Sequence, residues 1–238
     1  MVNLWKNKTT RWLQSAAIFS KLYGYLQETV QISSRSIVAE YGIGKYGFGT
    51  FYLKKFSKVY GIDIEDYSAR HPGVEFLLSD GDTIPLPNES VDLVVSHSVL
   101  EHVRDLSKSL TEINRILVVG GHAYLTVSPL YYSSFGSHVY EAGKRLDNWE
   151  HLDPTSQYFL TDNPIPHAQT SGHHLNKLTS SRFLASVGQQ PWSILRYDLG
   201  LDPRDIPDYV DKSIIPELDL RIKDFKFIGQ KRSFVKKI

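Results

Sequence analysis

The sequence predicts an α/β protein built on a mostly parallel sheet, with helices packed against both of its faces. Two observations support this fold class. Short runs rich in Val, Ile, Leu and Tyr alternate with helical segments over residues 36–128, and the first run leads directly into a cluster of glycines. Two further strand-like runs follow near the C-terminus, which gives seven in all. Such alternation is typical of parallel sheets, because a helix has to return the chain to the start of each new strand.

The first elements follow from the spacing of the apolar residues. Residues 9–30 carry apolar side chains at helical intervals with a polar opposite face, which predicts an amphipathic helix. Residues 65–73, between the second and third strands, are few and interrupted by Pro and Gly, so we expect no helix there. The remaining elements predicted in this half are strands at 36–41, 58–63 and 74–79 and a helix near 47–56.

Capping residues mark the helices of the second half. Asp105 is the expected N-cap of a helix at 105–117, and Thr179 is the expected N-cap of a helix at 180–187. The Gly-Gly pair at 120–121 is expected to end the first of these helices and to open a strand. The strands predicted in this half are 91–96, 122–127, 192–197 and 225–230.

These patterns divide the chain into four parts. Residues 1–35 form an N-terminal helical cap and residues 36–128 form the core. Residues 177–238 return to the same α/β domain. Residues 129–176 break the rhythm and are rich in Tyr, Ser, His, Pro and Asn. Long irregular segments inside compact domains are commonly functional, so we predict a lobe or lid over a binding site.

The composition excludes several classes of protein. Of the 238 residues, 41% are apolar and 22% are charged, as in an ordinary folded domain. The net charge of +1 gives no field that favours nucleic acid, and we expect no nucleic-acid partner. No window of about 18 apolar residues occurs, which predicts no membrane span. The lack of cysteine excludes disulfides and thiolate sites, and the lack of an export-like N-terminal segment favours the cytoplasm.

Acidic residues stand where successive predicted strands end. Glu40 precedes the first glycine, Asp63 ends the second strand, and Asp80 follows the third. Carboxylates after two successive strands suit a ligand that carries a ribose and an exocyclic amine. A third carboxylate beside the glycines suits a positively charged ligand. S-adenosylmethionine has all three features, and it is the cofactor that we expect.

A dinucleotide is the main alternative ligand. Residues 42–47 also satisfy G-x-G-x-x-G, and Asp63 lies 21 residues after Gly42, as in dinucleotide-binding proteins. A pyrophosphate would then lie on the helix N-terminus beyond the glycines, where Glu40 would repel it. That alternative also leaves Asp80 without a part. At this point the alternative stays open that the protein is an NAD-dependent oxidoreductase.

Several motifs, in their order and spacing, carry a family resemblance. They are Glu40-Tyr-Gly-Ile-Gly44, Gly61-Ile-Asp63, residues 80–85, residues 90–102 and residues 114–121. Together they resemble the class I S-adenosylmethionine-dependent methyltransferases of the small-molecule group, similar to methyltransferase type 11. The resemblance covers residues 36–128 well and the final third loosely. It implies a Rossmann-like, mostly parallel seven-stranded sheet and transfer of a methyl group from S-adenosylmethionine.

The resemblance also implies parts for the matched residues. The backbone at Gly42 and Gly44 would approach the methionine part of the cofactor, with Glu40 beneath it. Asp63 would accept hydrogen bonds from the ribose hydroxyls. The other residues that we expect at the cofactor are Ile64 beside Asp63, Asp80 and Gly81 at the adenine edge, and Ser96 and His97 near the transferred methyl group.

Two departures from the family pattern leave a non-catalytic alternative open. Tyr46 stands where the usual third glycine is expected, so the loop is longer or Tyr46 closes over the ligand. The connection after Asp63 is also too short for the usual helix. A degenerate member would bind S-adenosylmethionine, or nothing, and act through a protein partner.

Histidines are the candidates for catalysis, because a hydroxyl acceptor needs a base or a metal to take its proton. His138 follows the fifth strand and ranks first as the base, with His151 second. We expect His71, His122 and His167 to be surface or structural residues. Adjacent side chains diverge, so the His173-His174 pair is a poor ligand set and we expect no metal.

The acceptor and partners are predicted only by class. Tyr131, Tyr132 and Tyr140 belong to an aromatic-rich segment, and aromatic rings stack on sugars and on flat molecules alike. We therefore expect a small-molecule or glycan acceptor, methylated at oxygen. A second core made of these aromatics is the simpler alternative. The N-terminal helix and the irregular lobe could each supply an interface for a homodimer.

Overall fold

The structure is a computed structural model that describes residues 8–138, 140–141, 144–145, 147–156 and 175–233. Its first half follows the predicted order of helices and strands. Between β2 and β3 lies only a 3-10 turn, Ser68–Arg70, so the expected absence of a helix there is confirmed. The elements are α1 (Lys8–Thr29), β1 (Ile37–Tyr41), α2 (Gly49–Tyr52), β2 (Lys58–Asp63) and β3 (Glu75–Leu78).

The second half contains both predicted helix caps. The side chain of Asp105 accepts the Lys108 N–H at 3.0 Å, and that of Thr179 accepts the Arg182 N–H at 3.1 Å. The elements are β4 (Val91–His97), α3 (Leu106–Ile116), β5 (Leu117–Val127), β6 (Tyr140–Glu141), β7 (Lys144–Arg145), α4 (Ser180–Val187), β8 (Trp192–Leu201), α5 (Glu217–Arg221) and β9 (Ile222–Lys231), with a 3-10 turn at Glu150–Leu152.

Seven strands form one sheet in the order β3-β2-β1-β4-β5-β9-β8. The strands β1 to β5 pair in parallel, and β9 lies antiparallel between β5 and β8. This arrangement confirms the predicted seven-stranded, mostly parallel sheet. The carboxyl ends of β1, β2, β3 and β4 therefore meet at one edge, where open α/β sheets bind ligands.

Helices cover both faces of the sheet, as predicted. One apolar cluster joins α1 and α2 to one face, and the other joins α3 and α4 to the opposite face. Alternate residues of β4 face the two clusters, because successive side chains of a strand point to opposite faces. The first cluster contains Phe19, Leu26, Tyr52, Val38, Leu93 and Val95, and the second contains Leu110, Ile113, Phe183, Val94, Leu125 and Phe227.

Several element boundaries differ from the prediction, and those of β5 and α2 lie near the site. The strand β5 begins at Leu117 rather than after Gly121, because Leu117 pairs with Val91 at the start of β4 across an irregularity in register. A side chain at Gly121 would come within 3.0 Å of the Asp92 carbonyl oxygen, so the glycine permits this close pairing. Helix α2 has only four residues, and beyond it the chain continues in turns to β2.

The described part of the irregular lobe packs against the C-terminal third of the chain. Trp149 is buried in a small cluster with Ile206, Val210 and Leu220, and its Nε1–H donates to the Leu220 carbonyl at 3.1 Å. Arg204 pairs with Asp202 at 2.7 Å in the same region. Trp149 thus lies in a second small core, as the simpler alternative holds for this residue.

Candidate active site

The loop after β1 begins with a glycine that must approach its neighbours closely. Gly42 has a φ of +74°, and its N–H donates to the Ile62 carbonyl at 2.8 Å. A β-carbon added there would lie 2.3 Å from Cγ2 of Val99. Gly44 also has a positive φ, of +53°. The loop therefore bends over the carboxyl end of β1 and is tied to the end of β2.

Beyond Gly44 the loop follows the first of the two options left by its sequence, a loop that is one residue longer. Tyr46 is 64% exposed and lies on the outside of the loop. A β-carbon at Gly47 would lie 2.1 Å from the Ile43 carbonyl oxygen. Gly47 thus makes the close contact that a third glycine makes possible, one position later than expected.

Asp63 joins the end of β2 to the glycine loop. Its Oδ2 accepts the Gly44 N–H at 2.7 Å, and its Oδ1 accepts the Ile64 N–H at 2.8 Å. The side chain of Ile64 is 56% exposed at the same edge of the sheet. A carboxylate beside an exposed apolar side chain can bind the polar and apolar parts of a nucleoside together.

Asp80 and Gly81 lie on the other side of Ile64. A β-carbon at Gly81, which has a φ of +87°, would lie 3.4 Å from Cγ2 of Ile64. The exposed Asp80 accepts the N–H groups of Thr83 and Asp82 at 2.7 and 2.9 Å, and these bonds hold the pKa of Asp80 below its usual value. The structure therefore brings Asp63, Ile64, Asp80 and Gly81 to one edge.

Glu40 forms the floor beneath the loop. It is 2% exposed, and both carboxylate oxygens accept the Phe48 N–H, at 2.8 and 3.0 Å, just before α2. Burial raises the pKa of Glu40 to about 8, against the opposing effect of hydrogen bonds from Phe48 and Gly49, and the charge of Asp63 adds to the rise. A nearby positive charge would favour the ionised form.

His97 belongs to an aromatic wall at the end of β4. Its Nε2 lies 3.0 Å from the Tyr52 hydroxyl and its Nδ1 lies 3.1 Å from the Thr126 hydroxyl, while Phe48 and Tyr124 contact the ring edge-on. Burial lowers the pKa of His97 to about 3, so the ring is neutral near pH 7. The preceding residue, Ser96, is fully buried. His97 contacts Phe48, which directly precedes α2, whereas Ser96 points into the core.

Glu101 is a buried acidic residue for which the sequence predicted no role. Neither carboxylate oxygen forms a hydrogen bond of normal geometry with the described residues. Burial raises the pKa of Glu101 to about 8, and the backbone N–H groups of Glu101 and Ser128 offset part of the rise. The signal in the sequence was an acidic residue directly after Leu100, in a segment otherwise typical of the core.

The two buried glutamates predict that the protein becomes less stable as the pH rises from about 5 to about 8. Glu40 and Glu101 have an ordinary pKa of 4.5 and a folded pKa of about 8. The folded state therefore holds more protons in this range, and the stabilisation present below pH 4.5 is lost as the pH passes 8. Each group adds a slope of about 1.4 kcal/mol per pH unit.

Urea unfolding at several pH values checks this slope. In Glu40→Gln we expect the decrease of unfolding free energy with pH to be roughly halved, because one of the two groups no longer titrates. The exposed Glu75 offers a control, and Glu75→Gln should keep the wild-type slope. Equal slopes in all three proteins would show that Glu40 ionises normally in the fold.

The two histidines expected to act as bases have different surroundings. His138 is half-buried, its Nε2–H donates to the Pro129 carbonyl at 3.2 Å, and its ring lies 5.1 Å from that of His102. His151 is 1% exposed and donates to the Tyr131 carbonyl at 2.6 Å. Burial lowers the pKa of His151 to about 4. The geometry supports a structural role for His151. A catalytic role for this residue stays a prediction.

No group of three or more His, Asp or Glu side chains among the described residues could hold a metal ion. His167, His173 and His174 lie outside the described residues.

Comparison with known sequences agrees with this geometry. Residues 39–125 match a family model described as a methyltransferase domain. A protein of Mycolicibacterium smegmatis assigned as an S-adenosylmethionine-dependent methyltransferase is 33% identical over 98 residues, which are 39% of this chain and 37% of that relative. The match therefore spans little more than a third of the curated relative.

Solved structures share the fold over most of the chain. An S-adenosylmethionine-dependent methyltransferase from Mesorhizobium loti has a TM-score of 0.58 and 18% identity, and the match covers 88% of this chain and 97% of that one. A methyltransferase of Haloferax volcanii in complex with the activator Trm112 has a TM-score of 0.55 and 15% identity, with 92% and 94% covered. The matched domain runs from β1 to β5 within this shared fold, so residues 39–125 are similar to methyltransferase domains in sequence and the chain shares their fold.

Proposed function

We propose that the protein binds S-adenosylmethionine across the carboxyl ends of β1 to β4 and transfers its methyl group to an oxygen atom of a small-molecule or sugar acceptor. One observation carries the choice of cofactor. The backbone N–H groups of Gly44 and Phe48, at the glycine loop and the start of α2, are both bound by carboxylates of the protein itself, Asp63 and Glu40. These are the donors that an anionic ligand would need.

This arrangement argues against the dinucleotide alternative. A pyrophosphate binds to free N–H groups at a helix N-terminus. Here Glu40 accepts the N–H that precedes α2, and α2 itself is only four residues long. A pyrophosphate at this point would be repelled by Asp63, and its charge would hold Glu40, whose pKa burial raises to about 8, in the neutral form. A sulfonium and an ammonium group would instead be attracted by both carboxylates.

The remaining residues of the edge fit an adenosyl compound. Asp63 can accept hydrogen bonds from ribose hydroxyls, and the exposed Ile64 offers an apolar surface to the adenine ring. Asp80 and Gly81 stand where they could address the adenine edge. Ser96 and His97 would border the methionine side, with the backbone of Gly42 and Gly44. When bound, S-adenosylmethionine supplies a methyl group on a sulfonium that is already activated for in-line displacement.

The acceptor would lie between the end of β4 and the lobe at residues 129–176. Tyr131 and Tyr132 contact each other edge-on there, and aromatic rings of this kind stack on sugars and flat molecules. His138 is our first candidate for the proton acceptor. His151 is the second candidate, disfavoured by its burial.

The expected location and oligomeric state complete the proposal. No helix in the described ranges has both the length and the apolar character needed to cross a membrane. The cytoplasm remains the expected location, and a homodimer remains a prediction. The four-part division of the chain, with residues 1–35 as a cap and 177–238 completing the domain, is part of the same proposal.

Calorimetric titration tests the proposal. We expect S-adenosylmethionine and its demethylated product to bind with dissociation constants below about 1 mM, and NAD(H) to give no binding signal at the same concentrations. Turnover is then measured as formation of the demethylated product with a panel of sugars and small hydroxyl compounds.

The outcomes separate the alternatives. Binding of NAD(H) without S-adenosylmethionine would overturn the proposal. Binding of S-adenosylmethionine with no turnover on the panel would favour the degenerate, partner-dependent alternative. That result would lead to a search for a stable complex in pull-down experiments.

A further inference from the structure

The backbone of Gly44 is held on both sides by the connection between β2 and β3. Its N–H donates to Oδ2 of Asp63 over 2.7 Å, and its carbonyl lies 2.8 Å from Nε2 of His71. A carbonyl only accepts hydrogen bonds, so Nε2 of His71 carries the proton and donates it. The two peptide planes that flank Gly44, whose φ is +53°, are thereby fixed relative to each other.

His71 is buried although part of its hydrogen-bonding capacity is unmet. The side chain is 3% exposed, and Nδ1 has no hydrogen-bond partner within the described part of the chain. Leaving a buried polar atom unpaired is unfavourable, and an apolar side chain would fill the same space without that penalty. The feature that an imidazole adds at this position is its hydrogen bond to Gly44.

The backbone that carries His71 is itself well defined. The 3-10 turn Ser68–Arg70 leads into His71, whose N–H donates to the Ser68 carbonyl at 3.1 Å. The His71 carbonyl accepts the Val74 N–H at 3.1 Å. Asp66 accepts the Ser68 N–H at 2.8 Å and so supports the turn. The short connection therefore delivers the imidazole to a fixed position.

The segment just beyond Gly44 lies at the surface. Tyr46 is largely exposed, so the chain just beyond Gly44 lies on the outside of the fold. The connection from β2 to β3 contains a single 3-10 turn where a longer connection would provide a helix against the loop. His71 comes from that shortened connection and supplies a contact to the loop in its place.

We propose that His71 is a positioning residue for the cofactor, whose hydrogen bond to Gly44 holds the glycine loop in the conformation that receives the methionine part of S-adenosylmethionine. The inference rests on the proposed function. His71 acts through Gly44 and touches no reacting atom. Its loss therefore weakens cofactor binding and leaves methyl transfer in the saturated enzyme unchanged.

His71→Leu tests the inference, because leucine fills the space but donates no hydrogen bond. We expect the dissociation constant and the KM for S-adenosylmethionine to rise roughly tenfold, with kcat within about twofold of wild type. His71→Gln keeps a donor at the end of its side chain and should restore the affinity to within about threefold. His122, half-buried in the middle of β5, gives the matched control, and His122→Leu should bind as wild type does.

The results distinguish this inference from the function on which it rests. If the wild-type protein binds S-adenosylmethionine and His71→Leu binds it equally well, the inference is wrong and the function stands. If the wild-type protein does not bind, the proposed function fails first. Should His71→Leu not fold, His71→Asn carries the test, because its shorter amide stops short of Gly44. If His71→Asn had the wild-type KM, or if its kcat fell as much as its KM rose, His71 would not be a positioning residue.

Discussion

Asp63→Ala should weaken S-adenosylmethionine binding roughly 100-fold, the largest effect that we expect from any single site. In the proposed complex, this carboxylate accepts hydrogen bonds from the ribose hydroxyls. Each hydrogen bond to a charged group contributes about 1.5–3 kcal/mol, and tenfold in affinity corresponds to about 1.4 kcal/mol. The substitution also releases the Gly44 N–H, which Asp63 binds at 2.7 Å. Calorimetric titration measures the change directly.

Two companion variants separate the ribose from the loop. Asp63→Asn retains an oxygen that can accept the Gly44 N–H but lacks the charge, so a loss of roughly tenfold is expected. Asp208 is exposed and lies after β8, and Asp208→Ala should leave the affinity unchanged. A folded Asp63→Ala protein with wild-type affinity would mean that Asp63 does not face the cofactor, and the proposed site would have to be abandoned.

Gly42→Ala should destabilise the fold by about 2–4 kcal/mol and disturb cofactor binding with it. Two effects add. The φ of +74° is unfavourable for a residue with a β-carbon, and that carbon would lie 2.3, 2.5 and 2.9 Å from atoms of Val99. Either the valine or the loop must shift, and the loop is where the backbone would receive the cofactor. Urea unfolding followed by intrinsic fluorescence gives the loss of stability.

A second substitution identifies the source of this loss. Combining Gly42→Ala with Val99→Ala removes the two Cγ atoms at 2.3 and 2.5 Å and leaves the Cβ at 2.9 Å. We therefore expect about 1–2 kcal/mol to be recovered relative to Gly42→Ala, after correction for Val99→Ala alone. Gly24 is the control glycine, because it lies inside α1 and an added β-carbon meets nothing within 4 Å. Gly24→Ala should stabilise the protein by about 0.5–1 kcal/mol. If Gly42→Ala proved as stable as wild type, the close contact with Val99 would be refuted.

Features that depend on few neighbours were predicted well from the sequence. The caps Asp105 and Thr179 bind N–H groups only three residues away, so local chemistry determines them. The strand at 58–63 has the predicted bounds, because a continuous apolar run ends in a polar residue there. In contrast, β5 starts at Leu117 because of its pairing with Val91 on another strand. No local signal reveals such a pairing.

The candidate site shows the same division. Glu40, Asp63 and Asp80 were identified because a parallel sheet brings the ends of its strands to one edge. Their partners were not. Packing between separate segments decides that Glu40 accepts the Phe48 N–H. It also decides that His151 is enclosed beneath Tyr131. Glu101 and His71 were passed over because burial, rather than residue type, makes them notable.

The sequence alone determined the α/β class, the order of the strands along the chain and the acidic residues that we propose to bind an adenosyl compound. These follow from hydrophobic periodicity and from the positions of residues relative to strand ends, and both are local properties. Tertiary structure decided which backbone donors those acids bind, which histidines are enclosed, and how the loop is held between Asp63 and His71. Hydrogen bonds and burial of this kind join residues far apart in sequence, so they exist only once the chain has folded.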